Sequence, residues 1–196
     1  MSYNIQKYRG ALECFAMWQN GYTKEELDKI QFLAELQTFH KGKVGHVNDE
    51  APSDVRNSDI TWIAPDSNSQ WLFDRHACIL GKVNHDHFLY DIDSFNNFQY
   101  TVYGLSQHYT WHWDLSFGWE NKQRKISSVL FLSDPEEYEG GELEIVTTGN
   151  IENPLVLKPK RGDCVFFSSF MPHRVRPVTS GRRVTLVSWA EGPRSC

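Results

Sequence analysis

From Phe88 to Trp189 the chain is cut into short runs of β-branched and aromatic residues, with turn-forming residues between them. Phe88–Ile92, Phe98–Tyr103, Tyr109–Asp114, Lys125–Leu132 and Glu142–Val146 read as strands. Leu155–Leu157, Cys164–Phe167, His173–Pro177 and Arg183–Trp189 continue the series. Gly104, Gly118 and the turn-rich Ser133–Gly141 supply the breaks. Many short strands at short spacing build a sandwich or jelly roll. The aromatic content, 7 Trp, 12 Phe and 8 Tyr, suits such a sheet better than a helical bundle.

The first half has a different pattern. Thr23-Lys-Glu-Glu26 is a capping box, and Leu27, Ile30, Phe32, Leu33, Leu36 and Phe39 follow at helical spacing, so a helix is expected over 24–39. Residues 40–57 lack periodicity and read as a loop, with His46 solvated. Asp59–Ile63 is a short strand. Ser69 can cap a second helix over 70–85 that buries Trp71, Leu72, Ile79 and Val83. His85 and His87 near its end have no third ligand close in sequence and read as helix-end histidines.

A length of 196 residues suits a single domain over 1–196, with flanking helices and first strands in 1–90 and a β core in 91–196. The net charge of −5 argues against general nucleic-acid binding. Cys14, Cys78, Cys164 and Cys196 are scattered without a C-x-x-C pair, which fits free thiols in a reducing cytoplasm. No signal peptide is recognisable at the start, and no apolar run approaches the ~18 residues of a membrane span.

Chemistry concentrates at Trp111-His112-Trp113-Asp114. Side chains two apart on a strand share a face, so His112 and Asp114 project side by side. They form two-thirds of a 2-His-1-carboxylate triad, which holds non-haem Fe(II) and leaves coordination positions open. Trp111 and Trp113 alternate with them and are expected to face away and pack in the core. His173 opens a strand further on and is the candidate third ligand. Arg183 follows ten residues later, with Thr185 on the same strand face. A guanidinium and a hydroxyl side by side on a buried strand make a carboxylate receptor. His108 falls outside the ligand spacing, and the segment 115–123 after Asp114 is a candidate substrate lid. Arg124 and Lys125 fit a solvated face or a contact to an acidic substrate equally well.

This set, with Gln99–Gly104, Tyr109–Asp114, Arg124–Ser127, Leu132–Leu143, Gly162-Asp163 and His173–Arg183 through Trp189 in order, resembles the Fe(II)- and 2-oxoglutarate-dependent oxygenases. The likeness is to the prolyl/lysyl hydroxylase-type (PKHD-like) branch, which includes small phage and bacterial members. It spans about 99–192. The resemblance implies a mainly β fold with flanking helices, a double-stranded β-helix of the jelly-roll or cupin-like kind. It implies Fe(II) on His112, Asp114 and His173, and 2-oxoglutarate held by Arg183, with Thr185 and Tyr103 lining its site. O2 would be the co-substrate, ascorbate an accessory reductant, and succinate and CO2 the by-products of C–H hydroxylation. Some relatives carry a tyrosine where this chain has Phe131, which cannot donate a hydrogen bond. Asp114 fits hydroxylation, since related halogenases have a small residue there. A protein or peptide side chain, such as a prolyl, is the leading substrate class. An oxygenase of a small molecule or nucleobase is the alternative, and Trp189, where nucleic-acid demethylases carry a second arginine, weakens the nucleobase form. A non-catalytic jelly-roll binding or structural protein is the third reading, and the complete triad with its anchor argues against it.

Overall fold

The computed structural model describes residues 14–43, 54–116 and 122–194. In chain order it runs β1 (Phe15–Trp18), α1 (Lys24–Glu35), β2 (His40–Lys41), β3 (Arg56–Asn57), β4 (Asp59–Ile63) and α2 (Gln70–Val83). There follow β5 (Ser94–Phe95), β6 (Phe98–Tyr103), β7 (His108–His112), β8 (Lys122–Phe131), β9 (Tyr138–Gly140) and β10 (Leu143–Ile145). The last strands are β11 (Leu155–Leu157), β12 (Cys164–Ser168), β13 (His173–Val175), β14 (Val178–Gly181) and β15 (Arg183–Pro193).

A major antiparallel sheet has the order β1-β12-β8-β15-β6-β4-β2, with β5 also paired to β15, and a minor one the order β11-β10-β13-β7-β3. Together they form the two walls of a double-stranded β-helix. Strand alternation gives the major sheet two unlike faces. On one, Ile126, Leu130, Phe166, Leu186 and Tyr100 pack with Ile30, Leu72 and Ile79 of the two helices. On the other, Val129, Phe131, Val165 and Phe167 meet Leu143 and Ile145 of the minor sheet.

The capping box forms as its sequence dictates: Glu26 N–H donates to Thr23 Oγ1 at 3.2 Å and Thr23 N–H to Glu26 Oε2 at 2.8 Å. The helix ends at Glu35, not at 39. Phe39 is used in an extended segment, edge-on to Tyr100 at 6.0 Å, and Phe32 and Leu36 are exposed. Ser69 does not cap α2 through its side chain; its hydroxyl donates to the Ala64 carbonyl, and Asp66 Oδ1 receives Asn68 and Ser69 N–H instead.

The run Phe88–Ile92 is not a strand. A π-helical turn, Asn84–Phe88, extends α2, and Leu89 reverses the chain at φ 55°. The Asn84 side chain ties both the N–H and the carbonyl of Tyr90, closing the reversal. The ends of the expected 40–57 loop are short strands, β2 and β3. Its middle, including His46, lies outside the described residues. Cys14, Cys78 and Cys164 are unpaired. Among the described residues no helix is long and apolar enough to cross a membrane.

Candidate active site

His112 ends β7 and His173 begins β13, and the antiparallel register sets these two residues opposite each other. Asp114 lies just beyond β7, where its N–H donates to the Ser169 carbonyl at 2.9 Å. Ligand-capable atoms of His112, Asp114 and His173 all lie within 4.8 Å of one another. The carboxylate sits between the rings, with His112 Nε2 at 3.7 Å from Oδ1 and His173 Nε2 at 3.4 Å from Oδ2. Two nitrogens and one oxygen on one side of a point fit a divalent first-row cation with open positions.

The ring orientations are set by the backbone. His112 Nδ1 is 2.8 Å from the Thr110 carbonyl and His173 Nδ1 is 2.9 Å from the Met171 carbonyl. A carbonyl only accepts, so both Nδ1 atoms carry the proton and both Nε2 atoms face the shared point. Ser127 of β8 donates to Asp114 Oδ2 at 2.7 Å and contacts Ser169 Oγ at 3.0 Å. Burial would raise the Asp114 carboxyl, but the charge and hydrogen bond of His173, followed by His112, hold it well below the usual carboxylate range. Burial, with His173 adding to it, pushes the His112 imidazole down to about 3. A neutral ring with a free lone pair is therefore the form presented at neutral pH.

Behind His112 is a stack that sequence reading missed. Tyr109 lies on the His112 ring, with centroids 3.5 Å apart and planes at 12°, and Arg56 covers the other face of Tyr109 at 4.7 Å. Arg56 comes from β3 and is held by Ser58 Oγ, the Lys43 carbonyl and Gln99 Oε1. The period-2 pattern around Tyr109 was visible, but the strand that pairs with it sat in a segment without pattern.

At the deep end lies Arg183, 1% exposed. Its register partner is Tyr103, whose ring centre is 5.3 Å from the guanidinium, and Phe131 is at 5.0 Å. Arg183 Nε and Nη2 are buried without a hydrogen-bond partner, and so is the Tyr138 hydroxyl beside them. Burial lowers the guanidinium pKa, with Tyr103 and Tyr138 opposing that shift. A buried cation with idle donors is costly unless an anion completes it. Gly141 leaves the room: a Cβ there would meet Arg183 Cδ at 3.0 Å, and its φ of +65° suits glycine. Tyr138 gave no sequence signal, since it lies in a turn-rich connector.

Triad and arginine open into one cavity of ≈1040 Å³, which Thr185, Val187, Trp189 and Arg124 also line. Thr185 and Tyr103 line the same cavity as Arg183. Phe131 shares that end but has no polar atom to offer. Another expectation fails. Trp113 is 64% exposed and Trp111 is half-buried under Arg174 at 4.6 Å, because among the described residues no layer covers them. His108 bonds the Ser106 and Asp54 carbonyls and does not reach the triad. His85 pairs with Asp86, and among the described residues no metal-capable group includes it or His87. Residues 117–121 of the expected lid, with Gly118 and Trp119, lie outside the described residues.

Residues 98–191 match the family model of the 2OG-Fe(II) oxygenase superfamily. A PKHD-type hydroxylase of Teredinibacter turnerae is 47% identical over 66 residues, which are 34% of this chain and 28% of that protein. The matched part thus spans under a third of that relative. In structure, a Pseudomonas putida prolyl-4-hydroxylase superposes with a TM-score of 0.68 at 20% identity, covering 93% of this chain and 94% of that one. A Trichoplax adhaerens prolyl hydroxylase, solved with a hypoxia inducible factor peptide fragment, gives 0.71 at 18%, covering 91% and 83%. These structures share the double-stranded β-helix.

Proposed function

Taking residues 98–191 as a core of the 2OG-Fe(II) oxygenase superfamily, we propose that this protein is an Fe(II)- and 2-oxoglutarate-dependent dioxygenase that hydroxylates a C–H bond of a protein side chain, a prolyl or similar residue, releasing succinate and CO2. One observation carries the reading: the His112–Asp114–His173 cluster opens into the same cavity as a buried Arg183 with two unsatisfied nitrogens. A metal-binding point without the anchor would fit many activities. The pair asks for a divalent cation and a carboxylate-bearing co-substrate together.

His112, Asp114 and His173 would hold the metal, and Arg183 would take the distal carboxylate of 2-oxoglutarate with Thr185, Tyr103 and Tyr138 around it. When bound, Fe(II) with 2-oxoglutarate and O2 supplies the oxidising power for C–H hydroxylation. The chain's own part is placement. The Thr110 and Met171 carbonyls keep both imidazoles in the ligating tautomer, and Ser127 holds one oxygen of Asp114. Arg183 at the closed end fixes the direction of the co-substrate, since a planar fork grips a carboxylate in one plane. Val129, Leu143 and Val187 give part of the lining an apolar surface. A peptide substrate is supported by the likeness to prolyl hydroxylases and by the exposed Trp62 and Trp113 in the cavity lining. The test is an anaerobic titration with Fe(II), then 2-oxoglutarate. A weak visible charge-transfer band that needs both additions is expected; its absence would refute the reading.

A further inference from the structure

The Asp114 carboxylate presents both of its oxygens to the metal-binding point. Oδ1 lies 3.7 Å from His112 Nε2, and Oδ2 lies 3.4 Å from His173 Nε2. One oxygen or both together are therefore within reach of a cation held by the two rings. The difference decides what else can bind. A six-coordinate ion with two imidazoles and one carboxylate oxygen keeps three open positions. With both oxygens it keeps two. A 2-oxo acid that chelates through its keto and carboxylate oxygens takes two, and O2 needs a third.

Two serines make the oxygens unequal. Ser127 of β8 is registered between Phe167 of β12 and Trp189 of β15, and alternation turns it to the cavity side, away from Ser128. Its hydroxyl donates to Asp114 Oδ2 at 2.7 Å. Ser127 has one proton to give, so it accepts in its 3.0 Å contact with Ser169 Oγ. The bonds thus run from Ser169 to Ser127 to Oδ2, and each strengthens the next. Both serines are 0% exposed. A hydrogen bond to a carboxylate shielded from water is among the strong ones. It draws on the electron density of Oδ2 and leaves Oδ1 the better ligand.

The turn that carries Ser169 also sets the rest of the triad. Its N–H donates to the Lys125 carbonyl at 2.9 Å, which docks it beside Ser127. Its carbonyl accepts the Asp114 N–H at 2.9 Å, and the Met171 carbonyl takes the His173 Nδ1 proton at 2.9 Å. The Met171 N–H closes the turn on the Ser168 carbonyl at 2.9 Å. Asp114 is held against the serines through both its backbone and its carboxylate.

Resting on the hydroxylase reading, we propose that Ser127, backed by Ser169, is a positioning residue that limits Asp114 to one oxygen on the metal and so keeps the third coordination position open.

The test compares wild type, Ser127→Ala and Ser169→Ala as full chains. Calorimetry reads Mn(II) binding first, then 2-oxoglutarate binding to the Mn(II)-loaded protein; neither needs turnover. In Ser127→Ala both oxygens are free to take the metal. Mn(II) affinity should hold or rise, while 2-oxoglutarate affinity falls at least about tenfold. A residue that merely braces the site would instead lose metal affinity, about 10–100-fold for such a partner. Ser169→Ala keeps the hydroxyl on Oδ2 but removes its support, so a smaller split of the same sign is expected. That variant carries the test if Ser127→Ala does not fold. Crystals of the Mn(II)-loaded proteins should show one Asp114 oxygen on the metal in wild type and two in Ser127→Ala. Two in wild type, or one in Ser127→Ala, overturns the proposal. So does a metal affinity that falls along with that for 2-oxoglutarate. So does a 2-oxoglutarate affinity that does not fall in Ser127→Ala, or in Ser169→Ala where it stands alone. Wild type that ignores 2-oxoglutarate with metal bound would sink the hydroxylase reading. The crystals would still count the Asp114 oxygens, so the two fail separately.

Discussion

The two faces of the major sheet are made by the same strands and obey opposite rules. Along β8, Ile126, Ser128 and Leu130 point to the helices, and Ser127, Val129 and Phe131 to the cavity. On the helix side the polar groups around His76 are closed off, while the Tyr100 hydroxyl and Trp71 Nε1 are buried without a hydrogen-bond partner. Ser128 Oγ donates to the Ser188 carbonyl at 3.0 Å, so His76 Nε2–H donates to Ser128 at 3.1 Å, and Tyr22 donates to His76 Nδ1 at 3.3 Å. Each donor has an acceptor and the chain of bonds ends inside the protein. On the cavity side, Arg183, Arg124 and Tyr138 keep buried polar atoms that nothing in the fold satisfies. Buried polar groups left open cost stability, and a buried guanidinium costs far more than a neutral hydroxyl or indole, so the face that keeps two guanidinium groups open is arranged for a partner from outside. The difference separates what holds the fold together from what the fold is for.

Perturbing the two faces should therefore give opposite readouts. The largest effect is expected for Asp114→Ala. Iron-dependent conversion of 2-oxoglutarate to succinate should fall to background, because the carboxylate between the two rings is gone. Thermal stability of the metal-free protein should change little, since the deletion also removes a buried charge. A variant that keeps wild-type succinate release would remove the triad from the mechanism. Next comes Arg183→Ala. Its 2-oxoglutarate affinity should weaken by about 2–5 kcal/mol, the range for truncating one partner of a buried charge pair. Metal binding should persist. Unchanged affinity by calorimetric titration would mean that the orphaned nitrogens of Arg183 serve something else.

The sequence was legible where function lies on local periodicity. His112 and Asp114 share a face because they are two apart, and Arg183 with Thr185 for the same reason. The strands Asp59–Ile63 and Phe98–Tyr103 fell where the β-branched and aromatic runs placed them. What could not be read depends on pairings between distant segments. Ser127 reaches Asp114 only because β8 lies between β12 and β15. Arg56 reaches Tyr109 through a two-residue strand at the end of a patternless segment. Arg124 faces the cavity because Lys125 is an extra residue on β8 against β15, and no alternation rule predicts an insertion. The expected burial of Trp113 failed for a related reason: period 2 says which face a side chain takes, not whether that face is covered. Phe88–Ile92 had the composition of a strand and lost to the Asn84 side chain, which offers the backbone hydrogen bonds a sheet would have supplied.

The smallest of the expected effects belongs to the helix face and tests whether it is as closed as its bonds indicate. His76 is 2% exposed, packed among Phe95, Phe98 and Phe166, and burial pushes its imidazole down to about 4. In the unfolded chain the ring takes a proton near pH 6.5. Between those values the unfolded state binds a proton that the folded state refuses, so folding stability falls as pH falls. The contribution is fully present above about pH 6.5 and is reduced by about 2 kcal/mol at pH 5 and about 3 kcal/mol at pH 4. His76→Gln removes this titration. At pH 7 the variant should be the less stable, having lost a ring and the fixed run of hydrogen bonds. Urea unfolding at pH 7 and pH 4, with metal excluded, should show the gap between wild type and variant closing by that amount as acid is added. Subtracting the variant cancels the acid sensitivity of His112, which both proteins share. A gap that stays constant would mean that His76 accepts its proton without unfolding, and that water reaches the helix side of the sheet as readily as it reaches the cavity.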